Sequence, residues 1–91
     1  MCLLDKDTFI SIAYYTRRGT RIDYATIGAA SSTKYRLRFT GSPELERHYH
    51  NIESAISEAT SQIIAAMLEP GSFIKNYEVV IIRVNAHGEI E

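Results

Sequence analysis

The chain has 91 residues, 45% hydrophobic and 23% charged, with a formal net charge of −1. These figures describe one domain, residues 1–91, with a single core and little stability in reserve. No uncharged run reaches the ~20 residues of a membrane span, the first residues lack a signal peptide's basic start and apolar core, and Cys2, the one cysteine, excludes an internal disulfide or a thiolate-rich metal site. The expectation is a cytoplasmic protein with no membrane partner.

After a polar lead with Asp5, Lys6 and Asp7, the segment from Thr8 to Arg17 is rich in β-branched and aromatic residues. Alternation puts Ile10, Ile12 and Tyr14 on one face and Phe9, Ser11, Ala13 and Tyr15 on the other, which predicts a first strand. Arg18 and Gly19 supply a turn, and Thr20 to Gly28 returns as a second strand with Ile22, Tyr24 and Thr26 facing together. Ala29 to Ser32 reads as a loop. From Thr33 to Thr40 the alternation predicts a third strand, with Tyr35, Leu37 and Phe39 inward and Lys34, Arg36 and Arg38 outward.

From Ser42 to Glu69 apolar residues recur at steps of four and three: Leu45, Tyr49, Ile52, Ile56, Ala59, Ile63 and Met67. This is one stripe of a long amphipathic helix. Ser42 would cap it, Pro43 fits its first position, Glu44 and Glu46 suit the positive end of its dipole, and Pro70 with Gly71 stops it. A final strand over Ile74 to Val84 is apolar on both faces at Val79–Ile82, as expected of a strand that is central or covered on both sides. Asn85 to Gly88 is a turn, after which the chain folds back or frays.

The expected fold is α+β, in the order β-β-β-α-β, with a four-stranded mixed sheet and one long helix on one face. Strand order 3-2-1-4 is favoured over 1-2-3-4, because it puts the apolar last strand, running parallel to the first, beside it and leaves the basic third strand at an edge. This element order resembles the opening half of the ribonuclease H fold and its partial version in the HicB antitoxins.

No catalytic constellation emerges, and the expectation is a protein that is not an enzyme and needs no cofactor. A ribonuclease H-like site would need a carboxylate inside the first strand. Asp5 and Asp7 only precede it, with Glu53 and Glu78 as the remaining acids. His48 and His50, two apart on a helix, would diverge by about 200° and could not chelate one ion, and His87 sits apart.

Charge is unevenly distributed. From Arg17 to Arg38 six cations face one acid, a balance of +5, while Glu44 to Glu69 carries five glutamates against Arg47, a balance of −4. The expected binding surface is Arg17, Arg18, Arg21, Lys34, Arg36 and Arg38 with Tyr15, since arginine and tyrosine are enriched where surfaces meet carboxylates, phosphates or proteins. The expected partner is a larger protein or nucleoprotein complex with an acidic surface. Direct nucleic-acid binding ranks below it, and a HicB-like antitoxin or purely structural homodimer, with the last strand as its buried seam, is a third option. In size and style the chain resembles inhibitors from phages and other mobile elements, the anti-CRISPR proteins among them.

Overall fold

The computed structural model, which describes residues 3–90, contains β1 (Thr8–Thr16), β2 (Arg21–Ala29), β3 (Tyr35–Phe39), β4 (Ser42–Tyr49), α1 (Ile52–Met67) and β5 (Ile74–Arg83). The reading of Cys2 lies outside the described residues. The five strands form one sheet in the order β4-β3-β2-β1-β5, and every ladder is antiparallel. The expected α+β class and single helix hold, but the strand count and the direction of the last strand do not.

The hairpin of β1 and β2 turns through Arg17 to Thr20. The Thr16 amide donates to the Thr20 carbonyl at 2.9 Å and the Gly19 amide to the Thr16 carbonyl at 2.9 Å. Gly19 takes φ +88, a left-handed conformation in which a side chain would be strained. Within the ladder, Ile12 faces Ala25 and Ala13 faces Asp23, so β2 carries Tyr24 as one extra residue. This bulge corrects the expected grouping of Thr26 with Ile22 and Tyr24. Beyond it Ala25 and Ile27 take the buried face and Thr26 is exposed.

The predicted long helix is two elements. Ser42 to Tyr49 is a strand paired with β3, setting Arg36 against His48, Leu37 against Arg47 and Arg38 against Glu46. Pro43 is tolerated because β4 is an edge strand. The helix begins ten residues later than Ser42, at Ile52, where the Asn51 side chain accepts a hydrogen bond from the Ser54 amide at 2.8 Å. It ends as expected, before Pro70. The extra strand reverses the direction of everything after it, so β5 returns antiparallel to β1 and the likeness to ribonuclease H and HicB element order is lost. β5 does lie beside β1 as favoured, but as an edge strand rather than a covered one.

The core lies between the helix and one face of the sheet. It joins Ile10, Ile12, Ala25, Ile27, Tyr35 and Leu37 to Ala55, Ala59 and Ile63 of the helix, with Tyr14, Tyr24, Ile56 and Met67 at its margin. The small Ala55 and Ala59, both fully buried, let the helix backbone approach the sheet closely. Leu4, in the lead expected to be merely polar, is buried as well, and the Leu3 amide donates to the Tyr35 hydroxyl at 2.7 Å.

Candidate binding face of the sheet

With a single helix, the sheet has one face covered and one open. The registers of the four ladders align side chains across the open face in rows. One row runs Glu46, Arg38, Thr26, Ser11, Val80, and the next joins His48, Arg36 and Gly28 with Phe9 and Ile82. Toward the hairpin follow Asp23, Ala13 and Glu78, then Arg21, Tyr15 and Asn76.

Two charge clusters stand on this face. Near the hairpin, Arg21 donates through Nε to Glu78 at 2.7 Å, through Nη1 to Asp23 and through Nη2 to the Ser11 hydroxyl at 3.3 Å, and the Tyr15 hydroxyl donates to Glu78 at 2.9 Å. The Arg21 and Tyr15 hydrogen bonds hold the Glu78 carboxyl below its ordinary range, and the same carboxylate raises the Tyr15 phenol. At the other cluster, Arg38 binds Glu46, with Arg36 Nη1 at 3.9 Å and His48 Nε2 at 3.5 Å from the same carboxylate. The Arg38 hydrogen bond pulls the Glu46 carboxyl down. Arg36 also donates to the Ala29 carbonyl at 3.3 Å. Arg38 Nε is buried and has no hydrogen-bond partner.

Beside the second cluster, Phe9, Thr26 and Gly28 with Arg36 and Arg38 line a shallow groove of about 320 Å³. Gly28 leaves open space at its floor, since an added Cβ would meet no atom within 4 Å. Half-buried Val80 and Ile82 continue the apolar strip toward β5. A larger cleft of about 570 Å³ opens on the helix side, where the helix is shorter than the sheet, among Tyr14, Tyr24, Phe39, Leu45, Arg47 and Gln62. Within it Tyr24 donates to Gln62 at 2.6 Å, and Arg47 pairs with Glu58 of the helix. Burial raises the Tyr24 phenol, and its ring packs edge-on against Tyr14 and Phe39. That cleft is an aromatic packing margin, and the chemically unfinished surface is the open face.

The residues expected to bind are shared out along the sheet. Arg21, Arg36, Arg38 and Tyr15 stand on the open face. Arg17 donates to the Ser72 carbonyl at 2.8 Å and joins the hairpin to the start of β5; Arg18 is exposed at the turn, and Lys34 is exposed in the loop before β3. The expected electrical two-sidedness is also corrected. Glu46 lies on β4, among the arginines, instead of on an acidic helix, because an edge strand next to a basic strand is stabilised by opposite charge across the ladder. The argument from helix geometry against a His48 and His50 pair falls with that helix, but no group of three metal-ligating side chains gathers among the described residues.

Sequence reasoning passed over Phe9, Glu46, Glu78, Val80 and Ile82 as site residues. The signal for Phe9 was present in the alternation that put it on the Tyr15 face. Glu46 could be found only by recognising β4. No protein-family model matches the chain, and no curated protein or solved structure does.

Proposed function

We propose that the chain is a non-enzymatic binding protein whose open sheet face, centred on Phe9, Arg36 and Arg38, docks on an acidic surface of a larger protein. The observation that carries this reading is the uncovered groove in which two guanidiniums border an aromatic ring. Both guanidiniums are pre-oriented by Glu46, so less side-chain entropy is lost on contact with a carboxylate. Arginine and aromatic residues side by side are the composition of interface centres. In this reading the chain acts by occupancy, as an inhibitor or regulator of a larger complex, in the manner of the mobile-element inhibitors it resembles in size.

A second reading takes the same Phe9 ring as a platform for a base and the guanidiniums as phosphate contacts. The overall charge of −1 and the carboxylates of Glu46 and Glu78 on the same face count against a surface driven by phosphate.

The test is capture from lysate with and without nuclease, comparing the native chain with Arg36→Glu and with Glu53→Gln on the helix. The reading expects nuclease-resistant capture that Arg36→Glu abolishes and Glu53→Gln leaves intact. Capture that nuclease removes would assign the face to nucleic acid. Capture that survives Arg36→Glu would put the binding surface elsewhere.

A further inference from the structure

β4 and β5 are the two edges of the sheet, and they differ in chemistry. β4 carries Pro43, Glu44, Glu46 and Arg47, devices that discourage a further strand from pairing. β5 has a single charge between Asn76 and Ile82, Glu78, and Arg21 and Tyr15 hold that carboxylate on the open face. On the helix side, β5 presents Tyr77, Val79 and Ile81, which are 37%, 39% and 71% exposed. The helix leaves them partly in water, and its Glu58 and Gln62 are engaged by Arg47 on β4 and Tyr24 on β2. Helical period then sets Ile56, Thr60 and Ile64 on the flank above β5, where Ile64 is 39% exposed.

The backbone of this edge is in register for a partner. The Val84 amide donates inward to the Asp7 carbonyl at 2.8 Å, and the Asn85 amide donates outward to the Glu89 carbonyl at 2.8 Å. Alternation along the strand therefore turns the peptide groups of Ile81, Val79 and Tyr77 away from β1, toward the open edge. Past Arg83 that edge is closed, because Val84 bridges to Ile90.

We propose that β5 pairs antiparallel with β5 of a second copy, about a two-fold axis through Val79, to make one ten-stranded sheet. Val79 then faces Val79, Tyr77 of each copy faces Ile81 of the other, and the outward peptide groups of one strand meet those of its mate. The axis stands perpendicular to the sheet and keeps both helices on the same side. The apolar strip is thereby doubled and walled by Ile64 from each helix. A slip of one residue would set this strip against the opposite face. A slip of two would set Tyr77 against Arg83 or Lys75 against Ile81, whereas the Val79 register keeps Tyr77, Val79 and Ile81 together and opposes Lys75 to Arg83 at the two ends of the strip. The contact is isologous and closed. It leaves the groove of Phe9, Arg36 and Arg38 open, and stands independently of what docks there.

Sedimentation equilibrium should show a concentration-dependent dimer. Ile81→Lys, at a position already exposed in the single chain, should keep the native far-ultraviolet spectrum and weaken the dimer about tenfold or more, by setting a charge in the apolar strip. Val79→Cys in a Cys2→Ser background should oxidise to a linked dimer, since hydrogen-bonded antiparallel partners lie ~5.5 Å apart at Cα, within disulfide reach. Ser57→Cys, on the exposed side of the helix, should not. A sharp monomer at high micromolar concentration, a dimer unaffected by Ile81→Lys, or equal cross-linking at residues 57 and 79 would each overturn the proposal.

Discussion

Arg38 and Glu46 face each other across the outermost ladder of the sheet, guanidinium against carboxylate, and this pair marks Ser42 to Tyr49 as a strand. Arg36 and His48 flank the same carboxylate. Reversing one charge, as in Glu46→Lys, sets like charges side by side and should speed amide exchange through β4 while the helix and β1 stay protected. The swap of Arg38→Glu with Glu46→Arg should recover much of that protection. Both side chains are partly in water, so a double-mutant cycle in urea should read only a weak favourable coupling.

The carboxyls of Glu46 and Glu78 are both held below their ordinary value of 4.5, first by arginine hydrogen bonds. A depressed folded-state pKa means that the stabilisation is present above the unfolded value and is lost as pH falls through the folded one. The urea midpoint should therefore be flat near neutrality and fall as the solution is acidified below pH 4.5. Glu78→Gln should make that fall shallower, and an unchanged acid slope would show that the Arg21 cluster adds no pH dependence.

Asn51, rather than Ser42, caps the helix. Asn51→Ala should cost about 1 kcal/mol, in the range usual for a lost cap, while Ser42→Ala at the start of an edge strand should cost under ~0.5 kcal/mol. Thermal or urea denaturation of the two variants separates a helix beginning at Ile52 from one beginning near Pro43.

Ile63 is 1% exposed and Ala59 is fully buried, both on the helix face that packs on the sheet. Ile63→Ala should cost about 2 to 5 kcal/mol through lost burial and the cavity left behind. Ala59→Leu should cost about 1 to 3 kcal/mol by forcing the helix from the sheet. Ser57→Ala, at an exposed position, should change the midpoint little.

Some of this was written in the local sequence. Period-two alternation specified β1, most of β2 and the inward row Tyr35, Leu37 and Phe39. Gly19 marked the hairpin turn, and the spacing of Ile52, Ile56, Ala59 and Ile63 marked the helix that covers them. The neighbour of the last strand was also legible, because an apolar strand and an apolar first strand gain most by lying together. The open-face positions of Arg36, Arg38 and Tyr15 followed from the same alternation.

What local pattern could not decide was Ser42 to Tyr49. Leu45 and Tyr49 satisfy a helical stripe, and Ser42, Pro43 and Glu44 satisfy a helix start, but these preferences are each worth only tenths of a kcal/mol to about one. Against them stand the ladder hydrogen bonds to β3 and the opposite charges that meet only once the two strands are side by side, interactions between residues with no fixed local spacing. That one choice carried the rest with it. An added strand reverses the chain, so β5 runs antiparallel, β4 replaces β3 at the edge, and Glu46 comes to rest among the arginines it was expected to oppose from across the molecule. The bulge at Tyr24 is likewise tertiary, because an extra residue in one strand is defined only by the partner it fails to face.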